Sequence, residues 1–521
     1  MGFSRQSLPQ VLAVTVKNIL LVAFGLTLGF PTILIPGLSD QNEELHVDTD
    51  GVSWIGSINL ISVPIGCLIS GTISHTLGRK RAMQLVNLPF IGAWLIFRFA
   101  TAPYQIFVAL ALTGLTGGFL EAPVLTYVAE IAQPNLRGML SSTSTLAVIS
   151  GVLTMFCLGT FFHWRTVAFI CTFFNVVSFI LLFFVPESPH WLISKNRNDE
   201  AKKSLAWLRG WTTMEAIENE YKEVYKEVKR KEFDGNMNGK EVPKRSKLET
   251  IKLFGKKNFF WPYSLISFIF FLHHFNGMTT LQTYSIQIFS SLHVPIDKYY
   301  ATVMLGIVEL CGCLFCVILV HYIGKRVLNF ISLAGSCICF TAVATYAYMI
   351  DVNNLELPSN NATTGVGLEE VYHEYSWMPL VFLVLAAFVT HAGIRVLPWI
   401  LTGEVFSNDI RAGASGLAGA IGYVFGFLSN KVFLRMISTL TLPGVFWFNA
   451  SLSLLGLIFL YFFLPETEGK TLGQITEHFS GGKNMGNHVQ RGRHRRQLEQ
   501  QQQQQMQMSA VNAAYVSEIQ T

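Results

Sequence analysis

The chain has 521 residues, of which 51% are apolar and only 14% charged, with a mean hydropathy of +0.40 and a formal net charge of +5. So apolar a composition excludes a water-soluble globular protein and points to a chain that crosses a bilayer many times. No phosphate loop, metal-ligand cluster or nucleophile motif sits on a soluble stretch. An enzyme, a nucleotide-driven pump and a nucleic-acid binder are therefore not expected, nor is any cofactor or metal.

Residues 1–10 are mostly polar, and the apolar stretch from Val11 is long enough to remain as a span instead of being cleaved as a leader. A span needs roughly 20 residues, and about twelve such runs are read on hydropathy. They centre near Phe24, Leu60, Ala93, Gly117, Val152 and Ile180, then near Phe270, Leu314, Cys339, Val384, Val424 and Gly456. The loop Ser39–Asp50 carries Asp40, Glu43, Glu44, Asp48 and Asp50 without Lys or Arg, and Asp351–Ser376 also lacks both basic types. Arg79-Lys80-Arg81, Arg137, the central segment, Lys325-Arg326, Arg411 and the tail all fall on the other side. The positive-inside rule then expects both termini and the central segment in the cytoplasm. Asn361-Ala-Thr363 becomes an external glycosylation acceptor, whereas Asn449-Ala-Ser451 lies within an apolar run and is discounted.

These features predict an all-α integral membrane protein with twelve transmembrane helices in two six-helix bundles and a cytoplasmic helical insert. The expected units are a bundle over 1–186, a linker over 187–257, a second bundle over 258–465 and a tail over 466–521. In the linker, Asp199–Gly210 and Met214–Lys231 read as helices. The tail's glutamine run from Gln500 reads as low-complexity and disordered. All eight cysteines lie in apolar runs, so no disulfide framework is expected, and Cys311, Cys313 and Cys316 read as helix packing instead of a metal site. Gly25 with Gly29, and Gly114 with Gly118, read as close helix packing inside a bundle.

A pattern then occurs twice, with its companions in the same order. His75-Thr-Leu-Gly78-Arg79-Lys80, Glu130 with Arg137 seven residues on, and Pro186-Glu187-Ser188 form the first set. His321-Tyr-Ile-Gly324-Lys325-Arg326, Glu404 with Arg411 seven residues on, and Pro465-Glu466-Thr467 form the second. The offsets are 321−75 = 246, 404−130 = 274 and 465−186 = 279. A duplicated half of this size in apolar sequence is the mark of a transporter whose two halves move about a site held between them.

These motifs, with Tyr127-Val-Ala-Glu130, Gly277…Tyr284-Ser285…Phe289, Pro398-Trp399 and Pro465-Glu466-Thr467-Glu468-Gly469-Lys470, resemble the sugar porter family of the major facilitator superfamily. The match runs in order from Gly71 to Lys470. On that resemblance the chain is a facilitative sugar transporter of the plasma membrane that works by alternating access, with a hexose or trehalose as solute. Membrane lipid is its other partner, and a monomer suffices.

Arg79, Arg137, Arg326 and Arg411 are expected to pair with Glu130, Glu187, Glu404 and Glu466 as a latch on the cytoplasmic side. The plainer reading is that these charges anchor helix ends among headgroups. The resemblance also implies a binding cavity, and here the chain departs from the family. His273-His274 replace a Gln pair, Thr279 an Asn, Thr145 a Gln and Glu309 an Asn. Arg395 replaces a small residue near the retained Trp399. Glu121 and Arg395 are repeat-equivalent, each nine residues before Glu130 or Glu404. Both are therefore about 13 Å from the inner helix end. They either pair across the cavity or are satisfied separately. The stretch Val11–Pro36 holds no Asp or Glu, which favours facilitated diffusion. The charged cavity keeps a proton-coupled sugar or organic-ion transporter as the alternative, and a non-transporting nutrient receptor is the reading from another class.

Overall fold

A computed structural model describes residues 7–38, 43–234, 257–355, 375–406, 411–470, 472–479, 481, 485–487 and 489. Asn361 and the glutamine run lie outside these residues, as do the side chains of Arg137 and Arg411. The first half contains α1 (Leu8–Gly37), α2 (Thr49–Ile55), α3 (Ile58–Leu77), α4 (Arg79–Phe99), α5 (Pro103–Ile131), α6 (Pro134–Phe161) and α7 (Trp164–Leu181). The insert forms α8 (Pro189–Ser194), α9 (Asn198–Leu208) and α10 (Glu218–Asp234). It packs around its own small core of Trp191, Leu205, Ile217 and Tyr221. The second half contains α11 (Lys257–Phe275), α12 (Met278–Thr283), α13 (Ser285–Ser291), α14 (Lys298–Ile323), α15 (Lys325–Met349), α16 (Trp377–His391), α17 (Leu397–Thr402) and α18 (Arg411–Phe463), followed by α19 (Leu472–Phe479).

Among the described residues, nine helical stretches are long and apolar enough to cross a membrane, the pair α2–α3 counting as one. The helix α18 supplies a further span, because Thr441 at φ 66 breaks it two residues before Pro443. The two remaining spans are interrupted: α11 continues as α12–α13 past Gly277, and α16 continues as α17 past Gly393. That makes the twelve spans of the major facilitator fold, and each of the twelve centres read from the sequence falls within one of them. The breaks have local causes. Gly277 takes φ 93, and Asn276 Oδ1 accepts the Met278 N–H at 3.1 Å, which starts a new helix. Pro398 stands at the start of α17, where its missing N–H costs nothing. Irregular backbone at membrane depth is tolerated only where protein or a wet cavity surrounds it. The breaks thus mark where the solute path should run.

Glycine sets how tightly the first half packs. A Cβ on Gly25 would stand 2.0 Å from the Val148 carbonyl, and one on Gly151 would stand 2.2 Å from that of Val22, so α1 and α6 cross in near contact. The same holds for α3 and α5, where a Cβ on Gly118 would lie 2.2 Å from the Val63 carbonyl.

The apolar core is single at one end of the molecule and divided at the other. At the end bearing the acidic loop, Phe30, Trp94 and Trp164 share one cluster with Met278, Tyr284, Phe289 and Phe433. At the end bearing the basic motifs, Met83, Phe90 and Tyr127 form one cluster and Phe259, Phe270 and Phe406 another. The two halves therefore share a core at the acidic end and keep separate ones at the basic end, while a smaller cluster still joins Ile149 of α6 to Cys313, Cys316 and Val320 of α14.

Candidate solute-binding site

The interrupted spans deliver the polar side chains to mid-membrane depth. Arg395, in the gap between α16 and α17, donates through Nη1 to Thr279 Oγ1 at 2.9 Å and through Nη2 to Gln282 Oε1 at 3.2 Å. Its Nη1 also lies 3.1 Å from His273 Nε2. The His273 Nδ1 is 3.1 Å from the Ile394 carbonyl, and His274 Nδ1 is 3.0 Å from Thr279 Oγ1. Gln282 Nε2 donates to Glu309 Oε2 at 3.1 Å, so one amide bridges the guanidinium and the carboxylate. Glu309 is fully buried, and its Oε1 has no hydrogen-bond partner. His274 Nε2 is likewise unpartnered. Trp399 packs edge-on to Phe270 and against Tyr423, with centroids 4.9 and 5.6 Å away. It is half-buried.

The two halves contribute unequally. His273, His274, Thr279, Glu309, Arg395 and Trp399 come together in the second half. Thr145 and Glu121 belong to the first. Thr145 is half-buried on α6, one turn before Ile149, which packs on Cys313 and Cys316 of α14. The electrostatic neighbours of Glu121 are Cys67 and Tyr423, and it has no hydrogen bond or ion pair among the described residues. No ion pair joins Glu121 to Arg395: the guanidinium turns to partners of its own half, Thr279 and Gln282 of α12 and His273 of α11.

Sequence reasoning passed over Gln282 and Lys17. Gln282 also links the halves, since its backbone carbonyl accepts from Thr32 Oγ1 of α1 at 2.8 Å. Lys17 is fully buried in α1, where Nζ donates to Ser144 Oγ at 2.6 Å with no carboxylate in salt-bridge range among the described residues. A lone Lys in an apolar run was the available signal, since an intramembrane charge is functional by default.

At the basic end, each half carries its own polar knot, and the two are alike. Gly78 at φ 96 and Gly324 at φ 92 turn the chain into α4 and α15. Glu187 then accepts the N–H groups of Arg79 and Lys80 at 3.0 Å each, and Glu466 those of Lys325 and Arg326 at 3.1 and 3.0 Å. Both carboxylates thus act as helix caps, where free N–H groups favour an anion, instead of as guanidinium partners. Arg79 grips Glu130 through Nε and Nη2 at 3.0 and 2.8 Å. In the second half the partner of Glu404 is Lys325, at 2.7 Å. Arg326 instead donates to the Tyr461 carbonyl and lies over the Phe330 and Tyr461 rings. The offset of 246 foretells this, since Arg79 maps onto Lys325. Even the hydroxyls repeat: Ser188 Oγ donates to Glu130 at 2.5 Å and Thr467 Oγ1 to Glu404 at 2.9 Å.

Lys325 also holds Glu468 at 2.8 Å, and His321 Nδ1 reaches the same carboxylate at 2.8 Å. Burial raises the Glu468 carboxyl, but Lys325 and His321 outweigh it and hold it below its ordinary value. A depressed folded-state pKa means this pair stabilises at neutral pH and fails only as pH falls through the carboxylate range. Thermal melts from about pH 7 down to about pH 3 should therefore show the deficit of Glu468→Gln narrow only once the pH falls below the ordinary carboxylate range.

The whole arrangement has known counterparts. A family model described as sugar (and other) transporter matches residues 28–479. This chain belongs to that family. It is a membrane transporter, not an enzyme. A facilitated trehalose transporter, Tret1, of Polypedilum vanderplanki is 27% identical over 430 residues, covering 82% of this chain and 79% of that protein. The Tret1 of Apis mellifera ligustica is 26% identical over 474 residues, covering 91% and 88%. Among solved structures, the inward open conformation of the xylose transporter XylE from E. coli superposes with a TM-score of 0.68 at 19% identity, covering 89% of this transporter and 98% of that chain. The partially occluded inward open form of the same protein gives 0.65 at 16% identity.

Proposed function

We propose that this transporter carries a sugar, a hexose or trehalose, down its gradient across the plasma membrane by alternating access. Both termini and the basic end lie in the cytoplasm, the halves stand parted on that side, and a monomer suffices. The observation that supports this reading is the divided core: one shared apolar cluster at the acidic end and two at the basic end, with a smaller seam of Ile149 against Cys313 and Cys316 beside them. Trp399 offers an apolar face to a sugar ring. Thr145, His273, His274, Thr279, Gln282 and Glu309 supply hydroxyl partners, with Glu121 and Arg395 at the edge of the same space. The charge on the first span is Lys17, a cation, and no carboxylate occurs between Val11 and Pro36 to carry a coupled proton. Radiolabelled glucose and trehalose uptake in oocytes, compared at mildly acidic and neutral pH, should be saturable and change little with pH. Strong acceleration in acid, or failure of both sugars, would overturn it.

Polar ties across the halves make the outer closure. Lys431 Nζ donates to Asp50 Oδ1 and Ser53 Oγ, each at 2.8 Å, and lies 4.2 Å from the Trp54 ring centroid. Asn430 Nδ2 donates to the Gly56 carbonyl at 2.6 Å and to Thr283 Oγ1 at 3.0 Å. Lys431→Ala should shift the population toward the outward-open state. A Thr283→Cys reporter should then react several-fold faster with an impermeant maleimide than in the Lys431 background, and an unchanged rate would remove Lys431 from the closure.

A further inference from the structure

We propose that a second pocket, between α4, the end of α7 and the insert helices α8 and α9, binds the phosphate of an anionic phospholipid headgroup. The pocket has a volume of about 540 Å³, and its rim sets Lys80, Arg81, Arg197 and Lys203 against only Glu187 and Glu200. Both carboxylates are already engaged. Glu187 caps α4, and Glu200 takes the forked guanidinium of Arg197 at 2.8 and 2.5 Å. Lys80 Nζ donates to the Phe183 carbonyl at 3.0 Å. Arg81 and Lys203 are exposed and donate no hydrogen bond among the described residues. Glu200 also faces Arg81 and Lys203, so among the described residues the rim holds four cations against two carboxylates.

A second observation points to a ligand. Gln84, one turn after Lys80 on the same face of α4, lines the pocket and is 8% exposed, yet its Nε2 has no acceptor. A buried amide donor left unsatisfied costs about 1–3 kcal/mol. A phosphate oxygen would satisfy it and bring the charge that the rim lacks. The setting decides the source of that phosphate. Phe183 and Phe184, which are 58% and 72% exposed, form the edge of the pocket where α7 leaves the bilayer. Trp191 and Trp207 lie on its inner wall, as aromatic side chains do at headgroup depth. A soluble anion would need none of this apolar border, whereas a lipid presents its phosphate beside its acyl chains. Basic pockets next to spans are suited to the anionic lipids of the cytoplasmic leaflet, so the physiological assignment rests on the basic end being cytoplasmic. Binding itself does not depend on orientation or on transport.

The test is thermal unfolding of the full-length protein in detergent with dioctanoyl phosphatidic acid, dioctanoyl phosphatidylcholine or glycerol 3-phosphate. A ligand that binds only the folded state raises Tm with its concentration. Phosphatidic acid should raise it saturably by about 2–4 °C, while phosphatidylcholine and glycerol 3-phosphate leave it unchanged. Arg81→Gln/Lys203→Gln should abolish the shift. Gln84→Met, which keeps the volume and removes the donor, should raise the half-saturating concentration several-fold. An undiminished shift in the double variant would place the lipid elsewhere, for example on the basic residues 491–496. Equal protection by glycerol 3-phosphate would make this a soluble-anion site, and no shift with any probe would dismiss it. Uptake plays no part in the readout, so failure of the sugar assignment and failure of this site remain distinguishable.

Discussion

Arg395→Leu should lower sugar uptake by about 100-fold at equal surface expression. Among the described residues the guanidinium is the cation facing Glu309, which is fully buried and is linked to it through Gln282. Removing one member of a buried charge pair costs about 3–5 kcal/mol. The lower end applies to the stability of the fold, because Arg395 is half-buried; the uptake loss comes from the two acceptors left without their donor, at about 1–3 kcal/mol each, and each 1.36 kcal/mol is worth about tenfold in rate. Those acceptors are Thr279 and Gln282 of α12, which the Arg395 fork holds in place. Arg395→Lys keeps the charge but cannot reach two acceptors from a rigid fork, so uptake should fall by about tenfold. Adding Glu309→Gln to Arg395→Leu removes the stranded charge. It should restore the melting temperature in detergent without restoring uptake. Arg395→Leu transporting near the normal rate would show that the network serves packing alone.

Much of this architecture could be read from the chain because membranes leave few options. Twelve apolar runs and a repeated set of charged motifs suffice to specify two helical halves, since only helices or closed barrels satisfy their backbone in lipid. The interruptions at Gly277 and Gly393 were not legible in the same way. Hydropathy averages across them, and the positive φ of Gly277 is not a property of composition. The knots at the basic end show the opposite failing. Their residues were found, but partners were assigned by residue type, so Arg326 was paired where register pointed to Lys325. Nor do those knots cross between the halves: Arg79, Glu130, Glu187 and Lys325, Glu404, Glu466 each close within one bundle. A latch across the parted end therefore requires the other conformation, in which the same surfaces approach. His273, Thr279, Glu309 and Arg395 lie in one hydrogen-bonded neighbourhood. The bridge that joins them was missed because Gln282 breaks no sequence rule, whereas a charge in a span does.

Gly118→Val should prevent the protein from folding, a larger effect than any cavity substitution. The Cβ would lie 2.2 Å from the Val63 carbonyl, 2.7 Å from the Gly66 Cα and 2.8 Å from the Cys67 amide nitrogen, all of it backbone that no side-chain rotation can move aside. Overpacking a well-packed interior typically costs about 1–3 kcal/mol. Here α3 and α5 would have to separate along much of their length, because Gly66 and Gly114 are buried in the same crossing, with clearances of 2.1 and 2.0 Å to carbonyls of the facing helix. Separation would break the Asn59 to Thr113 hydrogen bond of 2.8 Å and the Ser70 to Phe119 carbonyl bond of 2.8 Å, which lie on the same seam. In lipid those groups have no water to turn to. Gly92 is the internal control: it is also helical, but a Cβ there meets nothing within 4 Å. Gly92→Ala should be neutral or stabilise by up to about 1 kcal/mol through the better helix propensity of alanine. Fluorescence-detected size exclusion of detergent extracts separates the outcomes. Gly118→Val should run as aggregate with almost no monodisperse peak, and Gly92→Ala should match the parent in peak and melting temperature. A monodisperse Gly118→Val with an unchanged Tm would mean that α3 and α5 do not cross as closely as their backbones lie here.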